Sequence, residues 1–225
     1  MKGILYGVGV GPGDPELMTL RAVRIIRENQ VIALPGKDPR NATAYKIAVR
    51  AVPELSEKEL VAIRMPMVRD RQKLMEEHRK GAELLKPLLD SGKNVVFLTL
   101  GDPSVYSTFS YIQDILAAEG YPVEMVSGVP SFCACAARLG LPLAEWDEEI
   151  RVIPAVHGGD LSFDRPGSYV LMKSAGRMPE IRKALIESGR SVHCVTDCGM
   201  ETEKVYHGAE EIPEDAGYFT LIIVK

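Results

Sequence analysis

The chain has 225 residues, 46% of them hydrophobic and 26% charged, with a formal net charge of −4. That length suits one large domain or two ordinary ones, and that balance suits a globular fold. The acid excess argues against a nucleic-acid partner, which leaves a basic footprint, and no apolar run approaches the roughly 20 residues that span a bilayer.

The N-terminus, Met1-Lys2-Gly3-Ile4, leads straight into a strand with no signal-peptide layout, so a cytoplasmic protein is expected. The run from Ile4 to Val10 is apolar and β-rich. The turn Gly11-Pro12-Gly13-Asp14-Pro15 follows, then Leu17, Leu20, Val23 and Ile26 at helical spacing. Strand, glycine-bearing turn and helix bring backbone close to a small ligand at the carboxyl edge of a sheet. The turn falls short of a dinucleotide fingerprint. Counted from Gly7 or Gly9, Pro12 or Asp14 stands in place of the third glycine, and the next strand ends in Pro35-Gly36-Lys37 without an acidic residue for a ribose.

Further along, strands are expected at 30–34, 60–64, 94–100 and 123–126, with helices near 17–28, 42–51, 70–90 and 107–119. Short apolar runs alternating with helix-period segments make parallel βαβ units. Pro87 is expected to disturb the end of the third helix. After a helix at 131–139, closed by Gly140, come strands at 151–156, 168–172, 192–196, 203–206 and 217–224 and one helix at 179–188. Fewer helices per strand imply a mixed sheet. The expected architecture is therefore two α/β domains: 1–126 with a mostly parallel sheet flanked by helices, and 127–225 with a mixed sheet.

Two more strand ends carry small residues. Leu100-Gly101-Asp102-Pro103-Ser104-Val105-Tyr106 follows the wholly apolar Val95–Leu98, and Ser127-Gly128-Val129-Pro130-Ser131 follows Val126. Three such ends on one parallel sheet point to a single ligand site. The four cysteines, Cys133, Cys135, Cys194 and Cys198, and the histidines at 78, 157, 193 and 207 lack the spacing of a metal site, and no metal is expected.

The stretch Gly7–Pro15, together with Gly101-Asp102-Pro103 and Gly128-Val129-Pro130-Ser131, resembles the tetrapyrrole (corrin/porphyrin) methylases, S-adenosylmethionine-dependent enzymes of cobalamin and sirohaem synthesis. Within that family, Tyr106–Tyr111 and Val129–Phe132 look most like the enzymes that methylate C20 of precorrin-2 or cobalt-factor II. The resemblance implies a homodimer of two-domain subunits, with a cofactor cleft between the domains. It places S-adenosylmethionine against Pro12, Leu100, Gly101, Asp102, Val105, Pro130, Ser131, Lys173, Cys198 and Thr220, the last three by strand order alone. Pro130 stands where the family usually carries a hydroxylated residue and offers only its carbonyl, which leaves that contact to Ser131. Acceptor contacts are expected from Gly11, Gly13 and Asp14.

Methyl transfer from a sulfonium needs donor and acceptor held in line rather than a protein nucleophile, and no Ser-His-Asp or Cys-His set is present. Loss of the proton displaced from the acceptor carbon requires a base or relay. Candidates are Asp102, Tyr106 and Asp14, with Glu16 and His157 behind them; Asp14, Glu16 and Asp102 suit helix or turn capping equally. A tetrapyrrole carries several carboxylates. Lys37, Arg40, Arg64 and Arg69, with Arg71, follow the second and third strands and form the expected acceptor rim. Trp146 is a candidate dimer or interdomain contact. The alternatives are methylation at C11 or C17 of a corrin or of uroporphyrinogen, and a dinucleotide-dependent oxidoreductase. A non-catalytic module binding an acidic macrocycle is a third.

Overall fold

The computed structural model describes residues 1–66, 70–155 and 161–225. The chain divides into two compact units, Met1–Pro130 and Ser131–Lys225.

In the N-terminal unit, β1 (Leu5–Gly9), β2 (Val31–Pro35), β3 (Glu59–Ile63), β4 (Val95–Thr99) and β5 (Val123–Val126) form a five-stranded sheet in the order β3-β2-β4-β1-β5. Every pairing in it is parallel. The intervening helices are α1 (Leu20–Glu28), α2 (Thr43–Ala51), α3 (Arg71–Asp90) and α4 (Phe109–Ala118). The unbroken apolarity of β4 has the expected consequence. Val96 and Leu98 join Ile26, Ile32 and Ile47 in one core, and Val95 and Phe97 join Leu85, Phe109 and Ile112 in another. All five β4 residues are buried.

Local chemistry sets the element ends. The first helix starts at Leu20 rather than near 17, because Asp14 caps a 3-10 turn at Pro15–Leu17 and the Thr19 hydroxyl accepts the Ala22 amide. Helix α3 runs through Pro87 to Asp90, its start capped by the Asp70 carboxylate. The glycines of β1 are packing residues. A Cβ on Gly7 would lie 2.2 Å from the Phe109 ring. Among the described residues, no helix is long and apolar enough to cross a membrane.

The C-terminal unit holds α5 (Ser131–Leu139), β6 (Ile150–Pro154), β7 (Ser168–Met172), α6 (Met178–Ser188), β8 (Val192–Thr196), β9 (Lys204–His207) and β10 (Thr220–Val224). Its sheet runs β6-β7-β10-β8-β9, parallel at β6–β7 and antiparallel elsewhere, the mixed sheet expected. Its core gathers Tyr169, Leu171, Cys194, Ile222 and Val224 under Ile181 and Leu185 of α6. The last strand begins at Thr220 instead of 217, where the Thr220 hydroxyl donates back to the Gly217 carbonyl.

Candidate functional site

The turns after β1, β4 and β5 meet at the carboxyl edge of the parallel sheet. Gly11 and Gly101 exchange backbone hydrogen bonds, with Gly101 N donating to Gly11 O at 2.9 Å and Gly11 N to Gly101 O at 3.3 Å. Both take left-handed backbone, at φ 75° and 69°, a conformation costly to any residue with a Cβ. A Cβ on Gly9 would stand 2.4 Å from the Gly101 carbonyl oxygen, and one on Gly128 would stand 2.1 Å from that same oxygen. Three strand ends therefore touch backbone to backbone because none carries a side chain. Pro12, Gly13 and Asp102 are buried beside this contact, and Val105 is half-buried.

Asp102 ties the cluster together. Its Oδ1 accepts the Ser104 amide at 2.8 Å and the Ser104 hydroxyl at 2.5 Å, while its Oδ2 accepts the Gly128 amide at 2.9 Å. Both oxygens are engaged in holding the turns. Asp14 likewise caps, its Oδ1 accepting the Glu16 amide. Tyr106 takes a left-handed backbone (φ 48°) and is exposed. Ser104 was not singled out from the sequence, although Asp-Pro-Ser carries the signature of an Asx turn.

The rim residues divide. Lys37 and Arg64 follow β2 and β3, so the parallel pairing puts both at the same edge as the glycine turns. Lys37 is exposed, and Arg64 forms a loose 3.6 Å ion pair with Glu77. Arg40 is turned to structural use, donating to the Tyr45 hydroxyl at 3.0 Å and to the Ser56 carbonyl at 3.1 Å. Arg71 opens α3, while Arg69 and His157 lie outside the described residues.

In the C-terminal unit, antiparallel pairing aligns Leu221 with Met172 and Thr220 with Thr196. Lys173, Cys198 and Thr220, placed from strand order, thus occupy one edge of their sheet, as Ser131 opens α5. Lys173, directly after β7, takes left-handed backbone (φ 56°), and burial pushes its ammonium below the ordinary lysine range. The Cys198 thiol is brought below its usual value by a hydrogen bond from Cys135, whose own thiol that partnership and burial push up. Burial pushes Cys194 up to about 12. Glu203 anchors this loop, accepting the Gly199 amide at 2.7 Å and pairing with Arg138 of α5. Nothing in its local sequence marked Glu203 out. An open cavity of about 280 Å³ lies beside Thr196, Asp197, Lys204, Tyr206 and Thr220. Among the described residues, no three His, Cys, Asp or Glu side chains gather as a metal site.

A parallel sheet whose glycine-bearing strand ends converge on one edge, followed by a mixed-sheet unit, defines an α/β protein of the class whose ligand sites lie beyond the carboxyl ends of the strands. The chain belongs to the Tetrapyrrole (Corrin/Porphyrin) Methylases, whose family model matches residues 4–213. It is 34% identical to a probable cobalt-precorrin-2 C(20)-methyltransferase of Methanocaldococcus jannaschii, over 98% of this chain and 95% of the relative. It is 31% identical to a precorrin-2 C(20)-methyltransferase of Sinorhizobium, over 99% and 95%. Among solved structures it is similar to the uroporphyrin-III C-methyl transferase of Thermus thermophilus complexed with S-adenosylhomocysteine. There the TM-score is 0.72 at 28% identity, covering 99% of this chain and 92% of that one.

Proposed function

We propose that this chain is an S-adenosylmethionine-dependent methyltransferase acting at C20 of precorrin-2 or its cobalt form in cobalamin synthesis. The observation that carries this reading is the backbone contact of Gly9, Gly101 and Gly128, set in a chain that matches C20-methyltransferases along nearly its whole length. The residues fit the donor. The turns at Gly11, Gly13 and Gly101 carry no side chains of their own and lie at the carboxyl edge of the parallel sheet, where sheets of this kind bind ligands. When bound, the sulfonium supplies an electrophilic methyl group, and the protein's part is alignment, where good geometry is worth effective molarities of ~10⁵–10⁸ M.

The donor contacts in this reading are Pro12, Leu100, Gly101, Asp102, Val105 and Pro130, with Ser131, Lys173, Cys198 and Thr220. Lowered basicity at Lys173 suits a residue beside a cationic donor. Asp102 serves by fixing the Ser104 and Gly128 amides, and Asp14 by capping the 3-10 turn Pro15–Leu17 that follows Gly13. Lys37 and Arg64, at the same sheet edge, meet acceptor carboxylates. The reading includes a cytoplasmic homodimer, which sedimentation velocity on the purified chain tests.

The deciding experiment incubates the protein anaerobically with methyl-labelled donor and precorrin-2, with and without cobalt, and maps the label by NMR. Label at C20 is expected. Label at C11, at C17 or at a uroporphyrinogen position overturns the assignment.

A further inference from the structure

Tyr106 adopts a backbone conformation that bulky residues rarely hold, and its surroundings prevent it from relaxing. On its amino side, Asp102 is 8% exposed and bound to Ser104 and Gly128. On its carboxyl side, the Ser107 hydroxyl shares a buried 2.9 Å hydrogen bond with that of Thr99 and accepts the Phe109 amide at 3.2 Å. The Phe109 ring is wholly buried beside Phe97. Between these two anchors the chain must pass through φ 48° at Tyr106. Glycine would make that passage without strain, as it does at Gly11 and Gly101 nearby. The position instead holds a tyrosine, a residue 46% exposed beyond the carboxyl end of β4. Strain of this kind persists where the neighbouring structure over-determines it, and it clusters at ligand sites.

We propose that Tyr106 is the platform on which a pyrrole ring of the tetrapyrrole acceptor stacks, its backbone held by the Asp102 and Ser107 anchors. This rests on the methylase reading for the class of acceptor, but not on which carbon is methylated. A side chain on a rigid turn loses little entropy when a flat heterocyclic ring stacks on it, and stacking of this type is worth a factor of roughly ten or more in affinity. The ring, rather than the hydroxyl, is the recognising group.

The test titrates precorrin-2 anaerobically by absorbance, and S-adenosylhomocysteine by calorimetry, into wild type, Tyr106→Phe, Tyr106→Leu and Tyr106→Gly, with Tm for each. Phe is expected to bind precorrin-2 within about twofold of wild type. Leu and Gly are expected to lose about tenfold or more, and all variants should bind S-adenosylhomocysteine as wild type does. Tyr106→Gly should melt no lower than wild type, because it relieves the left-handed strain. A glycine variant that binds precorrin-2 normally overturns the platform. Parallel loss of precorrin-2 and S-adenosylhomocysteine affinity also overturns it, by showing that the ring only supports the turn. Wild type that binds S-adenosylhomocysteine but no precorrin-2 overturns the acceptor reading and the platform with it.

Discussion

The Asp102 carboxylate reaches from the turn after β4 to the Gly128 amide after β5, a 2.9 Å bond spanning 26 residues of sequence. Its other oxygen holds Ser104, so one side chain sets the spacing of two strand ends. Replacing it with alanine leaves two part-buried amides without their acceptor, at about 1 kcal/mol or more. Urea unfolding of Asp102→Ala should show that loss, and calorimetry should show weakened S-adenosylhomocysteine binding. Full stability and affinity in the variant would remove Asp102 from its role.

Gly128→Ala should be more severe than its size suggests. Its Cβ would meet the backbone oxygen of Gly101 at 2.1 Å and the Gly9 carbonyl carbon at 2.9 Å, and backbone cannot swing aside as a side chain can. Overpacking of this kind costs about 1–3 kcal/mol or more. Gly217→Ala is the matched control, because its Cβ meets nothing within 4 Å. Thermal melts of the two should diverge, with the Gly217 variant near wild type.

The two basic residues that follow β2 and β3 should separate kinetically from Arg40. Alanine at Lys37 and Arg64 together is expected to raise the acceptor KM several-fold while leaving donor affinity alone. Arg40→Ala, which forfeits hydrogen bonds to Tyr45 and Ser56, should lower stability by about 1 kcal/mol and leave KM unchanged. Steady-state assays with melts on both variants check this.

Acid should loosen the C-terminal unit through Glu203. Burial raises its carboxyl, but the Gly199 amide and the Arg138 guanidinium outweigh burial and leave it below the ordinary 4.5. A carboxylate whose folded value is depressed stabilises above the unfolded value and loses that contribution as pH falls through the folded one. Wild type should therefore exceed Glu203→Gln in Tm at pH 7, and the gap should close below about pH 4.5. A gap that stays constant to pH 3.5 would contradict this.

Much of the fold was legible because each element carries its own signal. Val95–Thr99 is an apolar run between polar turns, and Ser131–Leu139 ends at Gly140, which supplies the left-handed stop (φ 65°). The glycine and proline motifs located the strand ends for the same local reason. Arg40 and Glu203 were not legible in this way. Arg40 is claimed by Ser56, and Glu203 by Arg138, 65 residues away. Partners so distant leave no trace in a short window.

By itself, then, the order of residues determined where strands, helices and turns fall, since backbone preference and hydrophobic period act over a few positions. Only the tertiary structure decided which turns meet. Gly9, Gly101 and Gly128 come together through strand order and register, and those are set by burial of both sheet faces at once. That same packing made Asp102 the tie between two turns and fixed Tyr106 in a conformation no local preference would choose.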